Sequence, residues 1–170
     1  MIGDRFEIRD VAPGDAAELA DLLNAIIARG GTTALETPLT PVGLAAAYLL
    51  GPDVLCCFVA VERTTGQIAG FQTLGRLAGL PADIGDIGDI GTFARVDGNQ
   101  RGAGTALFAA TRVRAREIGL TAINAVIRAD NAGGLAFYTR QGFVDHAVAA
   151  GAPLRSGARV DRVIKRFALD

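Results

Sequence analysis

The sequence predicts an α+β fold, a mixed α/β layer in which one sheet is covered by helices. Three observations lead there. A short alternating segment precedes a strongly amphipathic helix near the N-terminus, and two apolar strand-like runs meet at a tight turn in the middle. The second half then alternates helix and strand patterns. Half of the 170 residues are hydrophobic and no Pro-, Gly- or Ser-rich linker divides them, so residues 1–170 read as one domain with a sizeable core.

In order, residues 5–11 (RFEIRDV) alternate and read as a strand. Residues 15–30 follow as a helix, with Asp15 as N-cap, Glu18 completing a capping box, and Leu19, Leu22, Leu23, Ile26 and Ile27 on one face before Gly30. Residues 30–40 read as loop and 41–50 as a second, shorter helix opened by Pro41. The runs VLCCFVAVE and QIAGFQTLGRL, joined by RTTG, form a hairpin. The repeat DIGDIGDIG at 83–91 leads into TFARV, read as a strand whose glycines mark a bulge or bend. A helix closed by Gly119, a strand (LTAINAVIR), a helix closed by Gly142 and two last strands complete the order β-α-α-β-β-β-α-β-α-β-β.

Composition removes several functions. The formal net charge of −1 gives no electrostatic footprint for nucleic acid. The longest apolar stretch, 41–61, is interrupted at Gly51, Pro52 and Asp53, and neither half reaches the roughly 20 residues that span a bilayer. No signal-peptide pattern opens the chain, so a cytoplasmic protein is expected. Cys56 and Cys57 are adjacent in an apolar run, and His146 is the only His, which disfavours a disulfide and a metal. With Ser156 the only Ser and no Gly-x-Ser-x-Gly elbow, a Ser-His-Asp triad is excluded.

The segment RVDGNQRGAGTALFAATRVRA, 95–115, places small residues before a helix start, a natural seat for phosphate. A nucleoside triphosphate loop needs a Lys beside it, and Lys165 is the only Lys. A dinucleotide fingerprint needs a third glycine, where Leu107 stands, and an acid about 20 residues on, where the neighbourhood of Asn124 has none. Coenzyme A pyrophosphate remains. Gly102 and Gly104 let the backbone approach it, N–H groups from Gly102 to Leu107 point at it, and Arg101 adds charge; an ordinary strand-to-helix turn is the other reading of the same glycines.

At these residues the sequence resembles the GNAT superfamily of acyl-CoA N-acyltransferases. The family's loop, Gln/Arg-x-x-Gly-x-Gly/Ala, is matched by Arg101, Gly102, Ala103, Gly104, Thr105 and Ala106. Val96 stands where the family ends its fourth strand, although the proline often found two residues later is Gly98. A second signature is matched by Asn131, Phe137, Tyr138, Gly142 and Phe143. The resemblance implies a mostly antiparallel sheet whose fourth and fifth strands splay after a bulge, with acetyl-CoA as co-substrate and its pantetheine arm along the fourth strand. Ala94, Arg95 and Val96 would bond that arm, with an N–H near Phe93 or Ala94 on the thioester carbonyl. An amine then attacks the acyl carbon directly, Tyr138 protonates the departing thiolate, and Asn131 contacts the cofactor or caps a helix.

The base is not carried over, because the glutamate some members place on the fourth strand is Gly91 here. Glu36, in a stretch (TALETPLT) resembling the acceptor-pocket segment of small amino-acid and phosphinothricin acetyltransferases, is one candidate. Asp89 is a second, read first as a solvated turn residue, and His146 is read as a strand residue. The function expected is acetyl transfer from acetyl-CoA to a small-molecule amine, an amino acid or analogue, without metal. A homodimer, a coenzyme A-sensing module and a protein N-terminal or lysine acetyltransferase stay open.

Overall fold

The computed structural model describes residues 5–76, 86–98 and 100–170. The first three residues of the DIGDIGDIG repeat, 83–85, lie outside the described residues. Strand β1 (Phe6–Asp10) leads through a 3-10 turn, Pro13–Asp15, into α1 (Ala16–Arg29). Helix α2 (Pro41–Leu44) continues as a π turn, Ala45–Leu49. Then come β2 (Val54–Glu62), β3 (Ile68–Arg76), β4 (Ile87–Ala94), α3 (Ala103–Ile118), β5 (Ala122–Arg128), α4 (Ala132–Arg140), β6 (Val144–Pro153) and β7 (Arg159–Ala168).

The strands form one seven-stranded sheet in the order β1-β2-β3-β4-β5-β7-β6. Every neighbouring pair is antiparallel except β4 and β5, which are parallel and joined by α3 as a crossover. This is the mixed α/β architecture expected, with helices on both faces. On one face α1 and α2 bury Leu19, Leu22, Leu23 and Leu44 against Val59 and Phe71. On the other, α3 and α4 bury Leu107, Phe108 and Tyr138 against Ile90, Ile123 and Phe143. Cys56 and Cys57, adjacent on β2, enter opposite cores because successive strand residues face opposite ways, and burial pushes both thiols up.

Two local expectations are corrected. Asp15 precedes α1, but its side chain makes no cap bond to that helix. Its carboxylate instead accepts from Ala12 N–H at 2.7 Å and from both terminal nitrogens of Arg9. Glu18 is not half of a capping box either: it accepts from Ile68 N–H at 2.9 Å and from Arg95 at 3.0 Å, tying α1 to the sheet. The glycines of β4 mark no bulge, since the β3–β4 register runs unbroken from Gly88 opposite Arg76 to Ala94 opposite Gly70.

Candidate active site

The parallel pair β4 and β5 opens partway along. Register pairs run from Ile87 with Ala122 to Ile90 with Ala125 and stop there, although β4 continues to Ala94 and β5 to Arg128. Each strand is held by its other neighbour. β4 stays on β3 as far as Arg95, whose N–H donates to Ala69 O at 2.8 Å and whose guanidinium bonds Ile68 O and Glu18. β5 stays on β7 through Arg128 opposite Arg162. A cavity of about 1050 Å³ occupies the opening and is lined by residues from both faces of the sheet. Because Arg95 N–H points to β3, strand alternation turns the main-chain groups of Thr92 and Ala94 toward the opening.

The glycine loop closes one end. Helix α3 begins at Ala103, and its N-cap Gly102 is left-handed at φ 90°, which favours glycine. Gly102, Gly104 and Thr105 line the cavity at the helix turn whose N–H groups lack intrahelical partners, and Arg101 is beside them. Gly104 has a second reason to be small, since a Cβ there would lie 2.7 Å from the Phe137 ring. Ala103 and Leu107 are buried in the core, and Ala106 N–H already donates to Gly102 O at 3.1 Å. These three therefore stand behind the cavity wall rather than on it. Ala94, Val96 and Asn131 are on the wall, as is Arg95, whose N–H and guanidinium are committed as above. Asn131 caps α4, accepting from Gly134 N–H at 2.9 Å, while its amide donates to Thr32 O at 3.1 Å.

Tyr138 is 7% exposed, with its ring edge-on to Phe137 and Phe143. Its hydroxyl lies 2.8 Å from Thr92 Oγ1, just beyond the point where β4 and β5 part, and Thr92 Oγ1 accepts from the fully buried Gln72 at 2.9 Å. Burial, with a smaller contribution from the Asp89 charge, pushes the phenol well above its ordinary value, so it stays protonated as a proton donor must. Neither Thr92 nor Gln72 carries a sequence signal; only the register of β3 and β4, which sets them opposite, brings them to Tyr138.

Asp89 replaces the turn residue read from the repeat with a strand residue. It sits in β4 opposite Gly75 of β3 and Asn124 of β5, two positions before Gly91 and so on the same face. That face carries α1 and α2, because Phe93, of the same parity, stacks on Phe71 in their core. Burial pushes the Asp89 carboxyl up to about 6, and its Oδ1 is buried without a hydrogen-bond partner among the described residues. Tyr48, presented by the π turn, shares the cavity wall with it. The three-residue repeat hid a two-residue strand period in which Asp89, Gly91 and Phe93 share a face.

Glu36 is not brought to this cavity. Its carboxylate accepts from Arg155 N–H, which fastens the loop before α2 to the β6–β7 hairpin, and Leu35 rather than Glu36 reaches the wall. His146 is exposed on β6. Among the described residues no group of three His, Cys, Asp or Glu side chains converges as a metal site, and no helix is long and apolar enough to cross a membrane.

Comparison with known proteins bears on this geometry. The model of the acetyltransferase (GNAT) family matches residues 33–143. No curated protein sequence matches significantly. Among solved structures, an N-acetyltransferase from Staphylococcus aureus Mu50 superposes with TM-score 0.83 at 17% identity, covering 97% of this chain and 99% of that one. A phosphinothricin acetyltransferase from Sinorhizobium meliloti in complex with acetyl-CoA gives 0.81 at 17%, covering 97% and 89%. A ribosomal-protein-alanine N-acetyltransferase from Brucella melitensis gives 0.81 at 19%, covering 96% and 99%. Such identities carry the fold, and the named acceptors of the last two differ in kind, so the fold leaves the acceptor open.

Proposed function

This chain belongs to the acetyltransferase (GNAT) family, an acetyl-CoA-dependent acyltransferase, and from that premise we propose that it acetylates the primary amine of a small molecule, an amino acid or analogue. The observation that carries the reading is the β4–β5 opening, with the Tyr138 hydroxyl on one face of β4 and the Asp89 carboxylate on the other. The main chain at Ala94 and Val96 is suited to hold the pantetheine arm as an added strand, and the turn at Arg101–Thr105 to seat the pyrophosphate. Asn131 orders α4 beside it.

In the reaction, the acceptor ammonium first loses a proton, and Asp89 is the base on the acceptor side, directly or through water. The freed amine attacks the acyl carbon, its nitrogen gives up a second proton to water, the carbon–sulfur bond breaks, and Tyr138 gives its proton to the leaving thiolate and regains one from water. Thr92 steadies the phenol oxygen through this step. The reading is of one domain over residues 1–170, acting in the cytoplasm, where the free buried thiols Cys56 and Cys57 remain reduced, with neither nucleic acid nor membrane as partner.

The test is a thermal shift followed by turnover. Coenzyme A and acetyl-CoA at about a hundred times Kd should stabilise the fold by roughly 2.7 kcal/mol, and ATP and NAD should not. Thiol release from acetyl-CoA in the presence of small amines should follow. A shift without thiol release for any amine would turn the reading toward a sensor, and no shift would remove it.

A further inference from the structure

The acceptor face carries a charge the proposed chemistry does not use. Arg128 of β5 and Arg162 of β7 stand directly opposite in register, and both line the cavity. They share the α1/α2 face: Ile127 enters the other core, and Arg128 reaches over to Thr33 O at 3.2 Å. Like charges set opposite on adjacent strands repel, and a fold tolerates this where each is answered. Arg128 is answered, forked onto Asp130 at 2.9 and 2.8 Å. Arg162 is not. Its Nε is buried with no hydrogen-bond partner among the described residues, and the carboxylate of neighbouring Asp161 accepts instead from Gly151 N–H.

A buried guanidinium N–H without an acceptor is costly, and the planar fork of arginine fits a carboxylate. The same cavity also holds the mirror-image deficit, a buried carboxylate oxygen of Asp89 without a donor. One ligand meets both needs: a molecule carrying an ammonium and a carboxylate. Phe93 and Val126 on the same wall offer apolar surface to the carbon skeleton between them. We propose that Arg162 is the carboxylate-recognition residue of the acceptor site, so that the acceptor is an amino acid with a free carboxylate rather than a simple amine. This rests on the acetyl-transfer reading and narrows it. An anionic group on the cofactor is the other source of the same chemistry, and the experiment separates the two.

Wild type, Arg162→Met and Arg162→Lys would be compared on a panel of L-amino acids, each paired with its carboxamide, by thiol release from acetyl-CoA. Wild type should favour the acids. Arg162→Met should raise KM for the acid on the order of 10- to 100-fold, leave the amide unchanged, and keep the thermal shift with coenzyme A. Arg162→Lys should recover part of the preference. Amides used as well as acids by wild type, or both affected alike by Arg162→Met, overturn the proposal. Loss of the coenzyme A shift in Arg162→Met also overturns it, assigning the anion to the cofactor. Should wild type release no thiol with any amine, the acetyl-transfer reading fails by itself. A thermal shift of the coenzyme A-saturated protein by acids but not amides then supports the carboxylate site, and no such shift overturns it.

Discussion

Tyr138 and Asp89 border one opening from opposite faces of β4, and their surroundings differ in kind. The phenol is held: Thr92 meets its oxygen, Gln72 meets Thr92, and rings pack both sides. The Asp89 carboxylate is half-buried with one oxygen unmet among the described residues, and the Nε of Arg162, on the wall of the same cavity, is unmet in the opposite sense. The phenol hydroxyl is thus met before any ligand arrives, with only the Gln72 Oε1 behind it left without a partner among the described residues, an arrangement that would suit a group delivering a proton to one fixed sulfur. The α1/α2 face is left incomplete in ways an acceptor would complete. In the proposed reaction, preorganisation would serve the invariant step and unsatisfied groups would select the variable acceptor.

The sharpest way to break this contrast is Asp89→Asn. If Asp89 is the base, turnover should fall by roughly 10²- to 10⁴-fold while the coenzyme A thermal shift persists. Wild-type kcat/KM should rise with pH through about 6, as the carboxyl loses its proton, and the variant should lose that limb. Stability moves the other way. Burial raises this carboxyl above its ordinary 3.8, so the cost of ionising it in the fold is absent at low pH, grows between about 4 and 6, and is full above that range. Asp89→Asn should therefore raise Tm at pH 7 to 8 and change it little below pH 4. Unchanged turnover would return the proton to solvent.

Tyr138→Phe tests the held phenol. It keeps the ring and its packing but removes the acid, and turnover should fall by roughly 10²-fold, the lower end for general acids because a thiolate leaves readily. Loss of the bond to Thr92 should cost only about 0.5–1.5 kcal/mol of stability. A cost near 3 kcal/mol or more with intact turnover would make the hydroxyl structural.

The smallest effect is expected at Glu36→Gln, whose carboxylate fastens the loop before α2 to the β6–β7 hairpin instead of facing the cavity. Turnover should change less than about twofold and stability by about 0.5 kcal/mol, as for surface changes. A large fall in turnover with coenzyme A binding kept would bring Glu36 back as a base, and with it a different closed position for residues 31–40.

What the sequence alone determined is what lies in contiguous stretches. The amphipathic face of α1, the β2–β3 hairpin, the Arg101–Ala106 turn and the Asn131–Phe143 run each carry their physics within a few residues, because helix period, turn chemistry and capping are local. Tertiary structure decided what depends on register and on burial. Glu18 lies in the first turn of its helix, as a capping acid would, yet serves β3 and Arg95, 50 and 77 residues away. Asp89 looks like a turn residue inside a three-residue repeat, and only its place between β3 and β5 strips it of water and raises its pKa. Arg162 is one of many arginines until pairing of β5 with β7 sets it opposite Arg128 in the cavity wall. Desolvation and like-charge opposition are created by neighbours distant in the chain, so no local pattern encodes them.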